Sequence, residues 1–174
     1  MNDEPEILVI ADTSVLINFV HASRLDLLGA PLGLRVLVPI EVLAELVDPT
    51  QRALVDQSLA TAGLAEAGPM SPDELAEYAR LRATLGAGES AALAIARWRG
   101  AVVACDEKRA FLRTAASLLG PGRVANTPGL LLCAIHRGLL TLAEADHLKG
   151  VLEGHRFKMN FSSFADLVTR EELT

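Results

Sequence analysis

The chain has 174 residues, 51% of them hydrophobic and only 4% aromatic, and a formal net charge of −6. That length suits one domain with a core on both faces of a sheet. So few aromatics mean a core of Leu, Val, Ile and Ala, and the acidic balance excludes a protein that coats nucleic acid non-specifically. No apolar run is long enough to span a membrane, and the start Asn2-Asp3-Glu4-Pro5-Glu6 is unlike a secretory signal. Cys105 and Cys133 lack paired spacing for zinc or redox work, which predicts reduced thiols and a cytoplasmic location.

In chain order, Ile7 to Ala11 is an uninterrupted apolar run that ends on Asp12. Such a run predicts a strand buried on both faces, as in a parallel sheet covered by helices. Asp12 would then lie at the carboxyl end of a central strand, where open α/β sheets place their ligands. The simpler reading is an N-cap for the helix predicted over Ser14 to Val20. A helical turn follows around Arg24 to Leu28, and then a second short strand, Arg35 to Val38. Pro39 opens a helix with an apolar stripe of Val42, Leu43, Leu46 and Val47, and Glu41 and Glu45 share its other face.

Thr50 to Ala62 reads as a further helix, and Gly63 to Pro69 as a connection or weak strand. Ser71-Pro-Asp-Glu74 is a capping box for a helix running to about Leu85. Glycines then lead into an alanine-rich helix with Glu89 in its first turn, a position the helix dipole favours for an acid. Ala101 to Cys105 is the third clear strand. It also ends on an acid, Asp106, before a helix from Glu107 to about Leu119. Arg123 to Asn126 is a short strand, and Thr127-Pro128 starts the next helix. Thr141-Leu-Ala-Glu144 is another capping box, and the tail from Phe157 holds one short helix. Strands and helices alternate throughout, which predicts a three-layer α/β/α sandwich with a central parallel sheet. The expected organisation is a single domain over 1–174, with a C-terminal helical extension from about 141.

Right-handed crossovers bring the ends of Asp12 and Asp106 to one edge of such a sheet, with Glu45 and Glu89 beside them. Two carboxylates about 5 Å apart repel by roughly 3 kcal/mol at an effective dielectric near 20, so four call for a cation. An all-oxygen set suits Mg²⁺ or Mn²⁺ rather than zinc. Such a site activates water and stabilises the leaving oxygen of a phosphodiester. From Arg97 to Arg123, six basic residues face only Asp106 and Glu107. Within that positive segment Lys108, Arg109 and Arg113 are the expected phosphate contacts, and a solvated helix face is the plainer alternative.

Taken together, Asp12-Thr13-Ser14-Val-Leu-Ile, Pro39-x-x-Val42-x-x-Glu45, Gly86-x-Gly88-Glu89-x-x-Ala92 and Val102-Val-x-x-Asp106-x-Lys108-Arg109-Ala110 resemble a PIN-domain protein. The resemblance extends through Asn126-Thr-Pro-Gly129 and Gly138-Leu-Leu. It implies a metal-dependent endoribonuclease acting on single-stranded RNA, with Asp12, Glu45, Glu89 and Asp106 as catalytic and metal-binding residues. Small prokaryotic members are often toxins, so it also implies an antitoxin partner; the alanine-rich helices predict a homodimer. Many members have Asp where this chain has Glu89, and Glu107 or Asn126 stands where a further polar residue often follows. Two alternatives remain: a non-catalytic PIN-like binding module, and a haloacid dehalogenase-type phosphohydrolase. The latter needs a second acid two residues after the first, where this chain has Ser14.

Overall fold

The computed structural model describes residues 6–106 and 109–171. Five parallel strands form one sheet in the order β3-β2-β1-β4-β5. They are β1 (Ile7–Ala11), β2 (Leu34–Val38), β3 (Ala65–Glu66), β4 (Val102–Ala104) and β5 (Val124–Ala125). β1 is central, with Val9 paired to Val36 of β2 on one side and to Val102 of β4 on the other. Side chains alternate across the sheet, so Val9 and Ala11 enter one core while Ile10 enters the other. This two-sided burial is why β1 reads as continuous apolar sequence.

The first core is closed by α1 (Thr13–His21), α2 (Ile40–Glu45), α3 (Pro49–Ala60), α7 (Thr127–His136) and α8 (Leu142–Gly154). The second lies under α4 (Pro72–Leu81), α5 (Ala87–Arg99) and α6 (Arg109–Leu119). A short α9 (Ala165–Glu171) follows, its start tied to α8 where Asp146 accepts from Phe164 N at 2.8 Å and Ser163 Oγ at 2.6 Å. The architecture is a three-layer α/β/α sandwich. Among the described residues no helix is long and apolar enough to cross a membrane.

Several boundaries differ from expectation for local reasons. Pro39 is the N-cap of α2 rather than its first residue, and α2 stops at Glu45. Asp48 must be extended to precede Pro49, and its carboxylate caps α3 through Thr50 N at 2.8 Å and Gln51 N at 2.9 Å. The apolar stripe is therefore cut short, and Val47 lies 88% exposed. Leu25–Leu27 is a 3₁₀ turn, and α4 ends at Leu81, where the chain turns back through Leu85.

Three of the basic residues that made segment 97–123 look like a phosphate surface are structural. Arg99 reaches Glu74 at 2.6 and 3.0 Å and the Ala67 carbonyl at 2.6 Å, and Arg97 reaches Glu77 at 2.5 Å. Arg123 donates to the Ala101 and Ala96 carbonyls, closing the end of α5. Glu74 also completes the Ser71 capping box, so one buried carboxylate joins α4 to α5. The Arg99 hydrogen bonds hold its pKa below the ordinary 4.5. Its stabilisation is therefore present above that value and is lost as pH falls through the lowered one. Glu74→Gln is expected to cost about 2–3 kcal/mol near neutrality, below the range for a fully buried pair because Arg99 keeps some solvent. The melting curves of the two proteins should converge in acid.

Candidate active site at the carboxyl ends of β1 and β4

β1 continues its ladder through the Asp12 N–H, which donates to the Ala104 carbonyl at 2.9 Å. Asp12 then turns the chain into α1 as its N-cap, so the capping reading and the strand-end reading hold for the same residue. Its carboxylate is only 2% exposed and accepts from Ser14 Oγ at 2.9 Å. Burial pushes the Asp12 pKa above the ordinary value; the Ser14 hydrogen bonds oppose this and the Glu45 charge adds to it. The Ser14 hydroxyl also accepts from the Asp106 N–H at 3.0 Å, which joins the ends of β1 and β4.

Asp106 is held by three donors. Asn18 Nδ2 lies 2.9 Å from Oδ2 and the Thr127 N–H 2.8 Å from Oδ1, while the Thr127 hydroxyl makes a short bond to Oδ2. Asn18 and Thr127 are both buried, and the start of α7 points its backbone donor at this carboxylate. Asn126 caps α7, its Oδ1 accepting from Gly129 N at 2.8 Å.

Glu45, the last residue of α2, is exposed and leans across onto the start of α5. Its Oε1 accepts from Gly88 N at 2.7 Å and its Oε2 from Thr13 Oγ1 at 2.5 Å. A Cβ on Gly88 would lie 2.6 Å from Oε2, so glycine is what allows this approach. Glu89 is half-buried and turns back to Gly86 N at 2.8 Å, capping its own helix.

Asp12 thus feels the charge of Glu45 and shares Ser14 with Asp106, while Glu89 is next to Gly88 but faces its own helix start. Among the described residues no three His, Cys, Asp or Glu side chains are gathered to hold one ion, because each acid is turned onto a protein donor. The donor set nonetheless fits a hard divalent cation. It is all oxygen, one member is buried and desolvated, and among the described residues none of the four acids has an ion-pair partner. Arg109 and Arg113 are exposed on α6, directly after the strand that carries Asp106. Lys108 and Glu107 lie outside the described residues.

No orienting role is assigned from the sequence to Thr13, Ser14, Asn18 and Thr127, although they hold three of the four acids. Ser14 and Asn18 are four apart on a helix that starts at an acid, and that spacing was the available signal.

The parallel sandwich thus places these acids at the carboxyl edge of its central strands. A family model described as DUF3368, PIN domain, matches residues 8–161, and the chain belongs to the PIN-domain family. No curated protein and no solved structure matches it.

Proposed function

We propose that the protein is a Mg²⁺- or Mn²⁺-dependent endoribonuclease that cleaves single-stranded RNA. The observation that carries this reading is Asp12: a buried carboxylate facing the Glu45 charge, with no cation paired to it among the described residues. Asp12, Glu45, Glu89 and Asp106 would hold the metal. When bound, the ion supplies an activated water and charge for the leaving oxygen. Ser14, Asn18 and Thr127 keep Asp12 and Asp106 oriented from behind, the outer-shell support that such ligands need. Glu45, positioned by Gly88 N and Thr13 Oγ1, and Glu89, at the start of α5, would add their carboxylates to the ion's oxygen set. Arg109 and Arg113, with Lys108, would neutralise the RNA backbone without reading its sequence. A toxin role and an antitoxin partner belong to the same proposal and rest on the family resemblance, while a homodimer rests on the alanine-rich helices.

One observation favours a non-catalytic binding module instead: Glu89 already serves as a helix cap. A phosphohydrolase of the haloacid dehalogenase type is disfavoured, because Ser14 stands at the second acid's place and is committed to Asp12 and the Asp106 N–H. The test is to strip the protein with EDTA, add Mn²⁺, and follow both melting temperature and cleavage of labelled single-stranded RNA. A ligand held only by the folded state at about a hundred times its Kd adds about 2.7 kcal/mol, a shift of several degrees. Metal-dependent stabilisation with metal-dependent cleavage supports the nuclease. Stabilisation without cleavage of any RNA supports the binding module, and an unchanged melting temperature sinks both.

A further inference from the structure

Beside Asp106 the segment 157–161 folds back over the ends of β4 and β5 and closes a cleft of about 430 Å³, within the usual range of small-ligand sites. Asp106 and Asn126 line one side; Phe157, Lys158, Asn160 and Phe161 line the other. The segment is anchored rather than loose. The Phe157 N–H donates to the Leu152 carbonyl at 3.0 Å, Met159 is buried, and Ser163 is fixed to Asp146. Phe161 is braced by an edge-on contact with Phe164 at 5.0 Å and by the Lys149 ammonium 5.8 Å from its ring.

The chemistry of the lining is specific. Two half-buried aromatic rings, Phe157 and Phe161, line the cleft and supply apolar surface for a flat ligand to stack on. Asn126 uses its Oδ1 on Gly129 N, which leaves its amide N–H₂ as a donor. Asn160 is exposed and makes no hydrogen bond among the described residues, so its amide offers both a donor and an acceptor. Lys158 is exposed and adds one positive charge. Rings, unengaged side-chain amides and a single cation match an unstacked nucleobase attached to a phosphate, since single-stranded RNA is read by stacking and by hydrogen bonds to base edges.

We propose that this cleft is a nucleobase subsite, which takes the base adjoining the phosphate at Asp106 and sets the base preference of cleavage. It rests on the ribonuclease reading for its role, but binding in the cleft is testable apart from cleavage. The experiment titrates ¹⁵N-labelled protein, in EDTA, with each of the four ribonucleoside 5′-monophosphates and with ribose 5-phosphate as the base-free control. The side-chain amide signals of Asn126 and Asn160 are expected to shift with at least one nucleotide and not with the control. Phe157→Ala is expected to weaken nucleotide binding about tenfold or more through lost stacking. Asn160→Ala, at an exposed position and so without a folding defect, is expected to change the ranking of the four bases.

Amide signals that stay still with all four nucleotides overturn the proposal, as does an equal response to ribose 5-phosphate. Base-selective shifts in a protein that cuts no RNA would sink the nuclease reading and leave the subsite standing. RNA cleavage alongside silent amide signals would sink the subsite alone.

Discussion

Asp12→Asn is expected to abolish RNA cleavage and, in the absence of metal, to make the protein more stable. Loss of an outer-shell partner of a metal typically costs 10- to 100-fold in activity, so loss of a ligand should cost more than about a hundredfold. The stability effect comes from burial. At 2% exposure the ionised carboxylate has lost its water, and the Glu45 charge is unfavourable as well. The folded-state pKa is therefore raised above the ordinary 3.8. Between those two values the folded protein keeps a proton that the unfolded chain releases, so stability falls as pH rises through that window. Above the window the full cost is carried. Asparagine keeps an oxygen to accept from the Ser14 hydroxyl and removes the charge. Its melting temperature in EDTA should exceed that of the parent protein at neutral pH, and the two should approach each other in acid. Mn²⁺ should reverse the order, because only the aspartate gains from it. A variant less stable than the parent at every pH in EDTA would mean that the Asp12 charge is already compensated.

The second expected result is that Gly88→Ala removes activity while sparing the fold. The new methyl carbon would sit 2.6 Å from Glu45 Oε2, a contact with the end of a flexible side chain. The carboxylate moves and the helix does not, so it loses Gly88 N and Thr13 together. A drop in cleavage of about tenfold or more is expected, by the same ligand-displacement reasoning, with the melting temperature almost unchanged. Glu45→Gln should show the same loss, whereas Glu41→Gln, in the first turn of the same helix, should cleave normally. Gly29 provides the contrast. A Cβ there meets the Gly63 backbone carbonyl at 2.8 Å, which cannot swing aside. Gly29→Ala should therefore lose about 1–3 kcal/mol of stability while its folded fraction still cleaves. Normal cleavage by Gly88→Ala would show that the placement of Glu45 is irrelevant to the chemistry.

What could be read in advance follows from how locally each feature is encoded. β1 and β4 are apolar runs that stop at an acid, and both strands, with their acids at the carboxyl edge of the sheet, were legible from that alone. The boxes at Ser71 and Thr141 were equally plain, because capping partners lie three residues apart. The early end of α2 was legible too in principle, since Pro49 forbids a helical Asp48. The fate of the arginines was not, because Arg97 and Arg99 find Glu77 and Glu74 some 20 and 25 residues away. Nor could the orientation of Asp106 be foreseen, since Asn18 and Thr127 meet across 109 positions. The segment 157–161 has no periodicity to announce that it returns to the sheet edge.

The strand order has a bearing on when the site comes into being. β4 is the fourth strand made, yet it lies directly against β1, the first. Asp106 gains its backbone and hydroxyl donors only when Thr127 has been added. On the ribosome, a nascent chain with β1 to β3 already folded still has an open sheet edge where β4 belongs, and half of its acid cluster is missing. A chain built this way brings its four acids together only after most of its message has been translated.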